Sequence, residues 1–134
     1  ALEEHQRILA IEESIMGDLE LPYRVVAIAV DDLGASAAMK YDLEAWLPGQ
    51  QRYRELTSCS NTTDYQARRL DIRYRGGGAG AGRPAHVATL NGTAVAVGRT
   101  LVALLENGQQ DDGSVRLPAA LVAAGAPELL PPAN

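Results

Sequence analysis

The sequence predicts an α+β domain in which helices pack against one face of an antiparallel sheet. A clean alternation of polar and apolar residues from 40 to 47 leads into a Pro-Gly turn and a second extended run, which is typical of an antiparallel hairpin. Helical patterns rich in apolar residues precede and follow this hairpin. With 134 residues, of which 46% are hydrophobic, the chain is long enough for one domain with a buried core.

The first thirty residues predict a helix and a strand. The helix runs from Leu2 to about Gly17, and the run from Tyr23 to Val30 is rich in β-branched residues, which favours a largely buried strand. Apolar side chains recur every three or four positions and lay one stripe along the helix, with the glutamates on other faces: Ile8, Ile11, Ile15 and Leu19.

The hairpin occupies residues 40–58. Its first strand directs one set of side chains to each face of the sheet, and the turn at Pro48-Gly49 returns the chain as a second strand, Gln51 to Ser58. The two sets are Tyr41, Leu43, Ala45 and Leu47 on one face, and Lys40, Asp42, Glu44 and Trp46 on the other.

The second half predicts two helices with extended segments between them. Residues 61–64 are good N-cap types and precede a predicted helix over 65–75, and a strongly apolar helix is predicted from Arg99 to Asn107. The glycine-rich run 76–82 matches neither a dinucleotide fingerprint nor a phosphate loop, so we interpret it as a flexible surface connection. Between them we expect a strand over 86–90, a bend at Asn91-Gly92 and an extended stretch over 93–97.

Composition narrows the classes of function. The formal net charge is −5, which argues against nucleic-acid binding through a broad basic surface. No run approaches the ~20 apolar residues of a membrane helix, and no basic region leads into an apolar stretch near Ala1, so we expect no signal peptide and no membrane partner. Cys59 is the only cysteine, so it forms no internal disulfide, and a reducing, cytoplasmic setting is expected.

A first candidate site lies where the second hairpin strand ends. A carboxylate and a hydroxyl, Glu55 and Ser58, are suitable ligands for Mg²⁺ or Mn²⁺ bound to nucleotide phosphates. Residues three apart on a regular strand face opposite sides, so both can serve one site only if the strand ends or bulges between them, and we predict that irregularity. The alternative is that Glu55 pairs with a cross-strand arginine and Ser58 caps the following helix.

A second candidate site is the start of the apolar helix at Arg99. A positive charge is unfavourable at a helix N-terminus unless an anion accompanies it, and a guanidinium can hold phosphate oxygens through two hydrogen bonds. The preceding small residues, Thr93 to Gly98, would let a ligand approach the backbone. The alternative is that Arg99 reaches solvent or an acidic partner such as Glu55.

Several long runs resemble, in order and in register, the C-terminal part of the seryl-tRNA synthetase family. They are Tyr41–Pro48, Tyr53–Asn61, Asp64–Arg69 and Thr89–Asn107, and the last resembles motif 3 of class II aminoacyl-tRNA synthetases. The resemblance implies a class II catalytic fold that activates L-serine with ATP and transfers it to tRNA(Ser). It implies a homodimer for the full-length enzyme.

The resemblance also implies roles for individual residues. Arg99 would grip the terminal phosphate of ATP, and Glu55 and Ser58 would contact ATP and its Mg²⁺ or Mn²⁺. Arg99 and Glu55 are therefore the expected catalytic residues. Leu56 and Thr57 would line the nucleotide site, and the family's serine pocket corresponds to Thr93 with Asn91 beside it.

The matched region, residues 1–134, corresponds to only part of the family's catalytic domain. Motifs 1 and 2 and the helical tRNA-binding arm would lie upstream, so we expect this chain alone to form no seryl-adenylate. The alternative is a synthetase-derived nucleotide-binding or regulatory module without aminoacylation activity. A related amino acid:carrier-protein ligase is expected to use cysteine-bound zinc, which the lone Cys59 argues against.

Overall fold

A computed structural model describes residues 1–76 and 82–132. Short 3₁₀ turns occupy Val30–Asp32 and Pro48–Gln50. Among the described residues, no helix combines the length and the apolar character needed to cross a membrane. The helices and strands are α1 (Leu2–Asp18), β1 (Tyr23–Ala27), β2 (Met39–Leu47), β3 (Arg52–Asn61), α2 (Tyr65–Leu70), β4 (Arg73–Tyr74), β5 (Ala85–His86), β6 (Leu90–Gly92), α3 (Val97–Gly108), β7 (Val115–Arg116), α4 (Ala119–Ala123) and β8 (Leu129–Leu130).

The main sheet has four antiparallel strands in the order β1-β2-β3-β6. The hairpin β2-β3 forms its centre, as the alternation in the sequence predicts, and the turn ends at Gln51 in a left-handed backbone conformation with φ 51°. Two smaller two-stranded pairs, β4-β5 and β7-β8, lie outside this sheet. The α+β class with an antiparallel sheet and flanking helices is confirmed.

The predicted irregularity in β3 is a β-bulge at Leu56. Leu43 pairs with Thr57, but its neighbour Glu44 pairs with Glu55, so Leu56 is an extra residue in the register. An extra residue shifts the alternation of side chains by one. Glu55 and Ser58 therefore lie on the same face of the sheet, although three positions separate them.

The core lies on the other face of the sheet, where α1 and α3 pack together against the hairpin. Leu9 and Met16 of α1 and Leu104 of α3 belong to one cluster with Leu43 and Leu56 of the sheet. Each buried leucine contributes roughly 1.5–3 kcal/mol of hydrophobic free energy, so this cluster fixes both helices on the same face.

The buried side of α1 differs from the apolar stripe that the sequence indicates. Ile11 is 48% exposed, and Glu12 is buried although the glutamates were expected on other faces. The helix is rotated so that its buried face carries polar as well as apolar residues. Gly92 on β6 has no side chain, and this leaves room for Glu12 opposite it. The buried residues of α1 are His5, Leu9, Glu12 and Met16.

Four other expectations are corrected. The strand β1 ends at Ala27 and is mostly exposed, because it is the edge of the sheet and only one neighbour covers it. The helix expected over 65–75 ends at Leu70, because Asp71 takes a left-handed conformation and Arg73–Tyr74 pairs with β5.

Of the expected strand over 86–90, only His86 and Leu90 lie in strands, in β5 and β6. Asn91 and Gly92 are strand residues of β6, since they pair with Ser60 and Cys59. Of the glycine-rich run, residues 77–81 lie outside the described residues.

Candidate nucleotide and metal site

Polar side chains from β2 and β3 meet on the face of the sheet opposite the helices. Cross-strand pairing sets Asp42 opposite Ser58 and Glu44 opposite Glu55. Lys40 lies on the same face, and its Nζ is 2.8 Å from Asp42 Oδ1 and 3.8 Å from Glu55 Oε1. This group of residues, Lys40, Asp42, Glu55 and Ser58, is called the polar face below.

Arg99 reaches the same place from the start of α3. Its Nη1 donates a hydrogen bond of 2.5 Å to the main-chain carbonyl oxygen of Glu55 and lies 3.9 Å from Glu55 Oε2. The side chain of Arg99 remains 59% exposed, so most of its five N–H donors are open to a ligand. A cleft of about 380 Å³ is lined by both residues, together with Leu47, Gln50, Arg54 and Val102.

The segment that carries Asn91 and Thr93 runs beside this group. Asn91 pairs with Ser60 on β3, and the main-chain N–H of Thr93 donates a hydrogen bond of 3.0 Å to the carbonyl oxygen of Ser58. Because alternate residues share a face, Asn91 lies on the polar side of the sheet, while Gly92 lies on the side of α1. Both Asn91 and Thr93 are exposed.

The structure brings together the residues singled out for the two candidate sites. Arg99 Nη1 contacts the Glu55 carbonyl oxygen and lies 3.9 Å from Glu55 Oε2. Ser58 shares a face with Glu55, and its carbonyl oxygen accepts a hydrogen bond from the main-chain N–H of Thr93. Leu56 and Thr57 face the other way, because Leu56 is part of the core and Thr57 pairs with Leu43 on the core side. Their side chains do not line the polar face, and contact with a ligand there would run through their main-chain atoms.

The two alternatives considered for these residues are only partly realised. Glu55 forms its closest ion pairs with Lys40 and Arg99, neither of which is the expected cross-strand arginine. Helix α2 begins at Tyr65, and Ser58 lies within β3 and does not cap it. Arg99 does approach the acidic partner Glu55, but its only close hydrogen bond among the described residues is to the main chain of that residue.

Sequence reasoning did not assign a role to Lys40 or Asp42. Burial raises the pKa of Asp42, the Lys40 ammonium opposes that rise, and the Glu55 charge adds to it. Burial also works against the charge on Lys40, but its contacts with Asp42 and Glu55 prevail, so the pKa of Lys40 is raised. The signal for both residues was the polar set of the 40–47 alternation, which places them beside Glu55 once the bulge is known.

Glu12, on the helix side of the sheet, was also missed. It is 1% exposed, and neither of its carboxyl oxygens has a hydrogen-bond partner of good geometry among the described residues. Burial raises the pKa of Glu12 to about 7, although the nearby Thr57 and Cys59 side chains oppose the shift. Burial, with the Glu12 charge added, raises the pKa of the Cys59 thiol to about 12. A buried glutamate on an otherwise amphipathic helix leaves no clear signal in a single sequence.

The donor set of the polar face fits a divalent cation that carries a phosphate chain. Carboxylate and hydroxyl oxygens, as Glu55 and Ser58 supply, are ligands that Mg²⁺ and Mn²⁺ accept, and Mg²⁺ completes its shell with water and phosphate oxygens. Arg99, next to Glu55, adds a planar cation suited to phosphate oxygens. The arrangement can therefore hold a polyphosphate and its metal ion.

Comparison with known proteins agrees with this chemistry. Residues 3–108 match the family model described as the tRNA synthetase class II core domain (G, H, P, S and T). The chain is 60% identical over 132 residues to a serine–tRNA ligase of Rubrobacter xylanophilus and 57% identical over 129 residues to that of Mycobacterium avium. These matches cover 98% and 96% of this chain. The chain spans about 30% of the length of these curated relatives.

Solved structures show the same likeness. The seryl-tRNA synthetase of Pyrococcus horikoshii in complex with ATP matches all of this chain and 30% of its own, with a TM-score of 0.94 and 47% identity. The cytoplasmic serine–tRNA ligase of Naegleria fowleri in complex with AMP matches 99% of this chain and 31% of its own, with a TM-score of 0.86 and 39% identity. At these identities the likeness extends beyond the fold to the sequence itself.

Proposed function

This chain belongs to the family of the tRNA synthetase class II core domain, and from that membership we propose that it is the C-terminal part of the catalytic domain of a serine–tRNA ligase. Such an enzyme activates L-serine with ATP to seryl-adenylate and transfers the seryl group to tRNA(Ser). The observation that carries the proposal is the contact between Arg99 and Glu55, which come from separate segments: Arg99 Nη1 lies 3.9 Å from Glu55 Oε2, on the face of the sheet that also carries Ser58.

The proposed chemistry depends on preplaced charge. The serine carboxylate attacks the α-phosphate of ATP, the bond between the α- and β-phosphates breaks, and pyrophosphate leaves. Negative charge accumulates on phosphoryl oxygens whose positions are fixed before the reaction. Arg99 holds the terminal phosphate through two N–H donors, while its bond to the Glu55 carbonyl fixes the direction of the guanidinium. Glu55 and Ser58 would hold Mg²⁺ or Mn²⁺, which when bound supplies positive charge to the phosphate oxygens.

Serine selection is proposed for the segment beside β3. The hydroxyl of Thr93 can donate to or accept from the serine hydroxyl, and Asn91 lies two residues earlier, in β6. A site built to pair with a hydroxyl rejects analogues that lack it by a large factor, because its own polar group is then left unpaired. The main-chain bond from Thr93 to Ser58 ties this segment to the metal ligands.

We propose that the longer protein is cytoplasmic, the setting that the lone Cys59 indicates, and that it is a homodimer that binds tRNA(Ser), as the resemblance implies. The residues that contact the α-phosphate and the serine ammonium in this family belong to a motif that no segment of this chain matches. The 134-residue chain alone should therefore bind ATP with a divalent cation but should not form seryl-adenylate.

Two measurements on the chain test this proposal. Calorimetric titration with ATP and Mg²⁺ should show binding, and serine-dependent ATP/pyrophosphate exchange should be absent. Full exchange activity of the chain would overturn the proposal that residues needed for seryl-adenylate formation lie outside it. If the chain does not bind ATP, or binds it equally well when Arg99 is replaced, the assignment of this face to ATP is overturned.

A further inference from the structure

Lys40 occupies an unusual position for a lysine in a site meant for a metal ion. Its ammonium lies 2.8 Å from Asp42 Oδ1 and 3.8 Å from Glu55 Oε1, so it bridges two carboxylates on the face that also carries Ser58. A divalent cation bound to Glu55 and Ser58 would lie near this ammonium. Two like charges in a partly desolvated site repel each other more strongly than they would in water.

The ammonium is anchored where it is. Asp42 is only 8% exposed, and a buried carboxylate that loses its cation leaves an uncompensated charge. Lys40 is therefore held by Asp42 and cannot withdraw to solvent without cost. Its contact with Glu55 is longer than a hydrogen bond, so the Glu55 carboxylate can exchange that contact for another cation.

We propose that Lys40 is a resident cation of the metal site, which offsets part of the negative charge of Asp42 and Glu55 in the metal-free protein and competes with the divalent cation for the Glu55 carboxylate. This inference rests on the proposed function, since it takes Glu55 and Ser58 as metal ligands. Lys40 is a positioning residue in this scheme: it sets the charge that the metal must overcome and takes no part in the reaction.

The proposal separates metal affinity from stability. Lys40→Met removes the competing charge, so it should tighten Mn²⁺ binding by roughly 5- to 20-fold while lowering the thermal unfolding midpoint. Lys40→Arg keeps the charge and should bind Mn²⁺ as the unaltered chain does. Arg24→Gln removes a positive charge that pairs with Glu44 on the same face of the sheet, and it controls for a general charge effect.

The experiment is a titration of the 134-residue chain with Mn²⁺, in which the free ion is counted by its EPR signal. Tighter binding by Lys40→Met alone supports the proposal. Equal or weaker binding by Lys40→Met, or equal tightening by Arg24→Gln, overturns it. If Lys40→Met does not fold, Asp42→Asn is compared with Asp42→Asn/Lys40→Met. Both variants lack the buried Asp42 carboxylate, and they differ only in the Lys40 ammonium. The double variant should then bind more tightly.

Glu55→Gln distinguishes failure of this inference from failure of the proposed function. If Glu55→Gln binds Mn²⁺ as well as the unaltered chain, the metal does not use Glu55 and both proposals fall. If Glu55→Gln loses binding while Lys40→Met changes nothing, only the role of Lys40 falls.

A second readout uses the fact that Lys40 is the only lysine of the sequence. With ¹³C-labelled lysine, its side-chain NMR signal needs no assignment. Adding Mg²⁺ should shift this signal in the unaltered chain and not in Glu55→Gln. An unshifted signal at a Mg²⁺ concentration that saturates the site would contradict competition at Glu55.

Discussion

Arg99 and Glu55 are 44 residues apart in the sequence, yet the Arg99 guanidinium donates a hydrogen bond of 2.5 Å to the Glu55 carbonyl oxygen. This bond ties the first turn of α3 to the strand β3, next to the bulge. It also fixes one edge of the guanidinium, so that the remaining donors point along a defined direction. The site therefore has a cation whose geometry is set before any ligand binds.

The geometry of the guanidinium can be tested with Arg99→Lys. A lysine keeps the charge but loses the paired donors, so we expect the affinity for ATP with Mg²⁺ to fall by about tenfold. Calorimetric titration measures this change. Arg116→Lys is the matched control, because Arg116 pairs with Glu128 at an exposed site. Equal affinities for Arg99→Lys and the unaltered chain would show that only charge matters at this position.

Burial of Glu12 should make stability depend on pH. Its pKa is about 7 in the folded chain against an ordinary value of 4.5, so between these values the unfolded state loses a proton that the folded state keeps. The contribution of Glu12 to the free energy of unfolding therefore decreases as pH rises from about 4.5 to 7, by up to roughly 3 kcal/mol, and is level above that.

Glu12→Gln should remove this dependence. We expect the variant to exceed the unaltered chain in stability above pH 7, with the advantage shrinking toward pH 5, in urea unfolding followed at several pH values. Glu3→Gln, at an exposed position of the same helix, serves as the control. A constant difference between Glu12→Gln and the unaltered chain across this range would contradict a raised pKa.

The Cys59 thiol should be unreactive in the folded protein. It is 0% exposed and burial raises its pKa to about 12, so almost no thiolate is present or accessible at pH 8. Reaction of Cys59 with a chromogenic disulfide should be at least about 100-fold slower than reaction of the exposed cysteine in the variant Ser14→Cys/Cys59→Ser. In urea, the reaction of Cys59 should become fast. Rapid labelling of native Cys59 would contradict the packing of α1 on the sheet.

The close approach of α1 to β6 predicts a cost for Gly92→Ala. A Cβ at this position would lie 2.7 Å from Ile8 Cγ2 and 2.9 Å from Glu12 Oε1. The helix must shift, so we expect the free energy of unfolding to fall by about 1–3 kcal/mol. Gly98→Ala, where a Cβ meets nothing within 4 Å, is the matched control. Urea unfolding measures the stability of both variants and of the unaltered chain. If Gly92→Ala is as stable as the unaltered chain, α1 does not pack closely against Gly92.

The sequence predicts best the strand β2, where one face is buried and the other is not. The 40–47 alternation identifies both faces of β2, because burial on one side imposes a period of two. An irregularity between Glu55 and Ser58, either an end or a bulge of the strand, is predicted from chemistry, since only then can both residues serve one site. The structure shows which of the two it is, a bulge at Leu56.

Features decided by tertiary contacts could not be predicted in the same way. The rotation of α1 depends on Gly92, which lies 80 positions after Glu12 in the sequence and leaves room for that side chain. The early end of α2 depends on the pairing of Arg73–Tyr74 with β5, which outweighs a local pattern that favours helix. The bridge from Lys40 to Glu55 depends on the bulge, so it becomes visible only after the register is known.

The most direct test of the account is a calorimetric titration of ATP with Mg²⁺ into the unaltered chain and the variants Arg99→Gln, Glu55→Gln and Ser58→Ala. If the three side chains act on one triphosphate and its metal, each variant should weaken binding, Arg99→Gln by about tenfold or more, while Glu128→Gln changes nothing. Binding that is unchanged in all three variants would contradict the central claim.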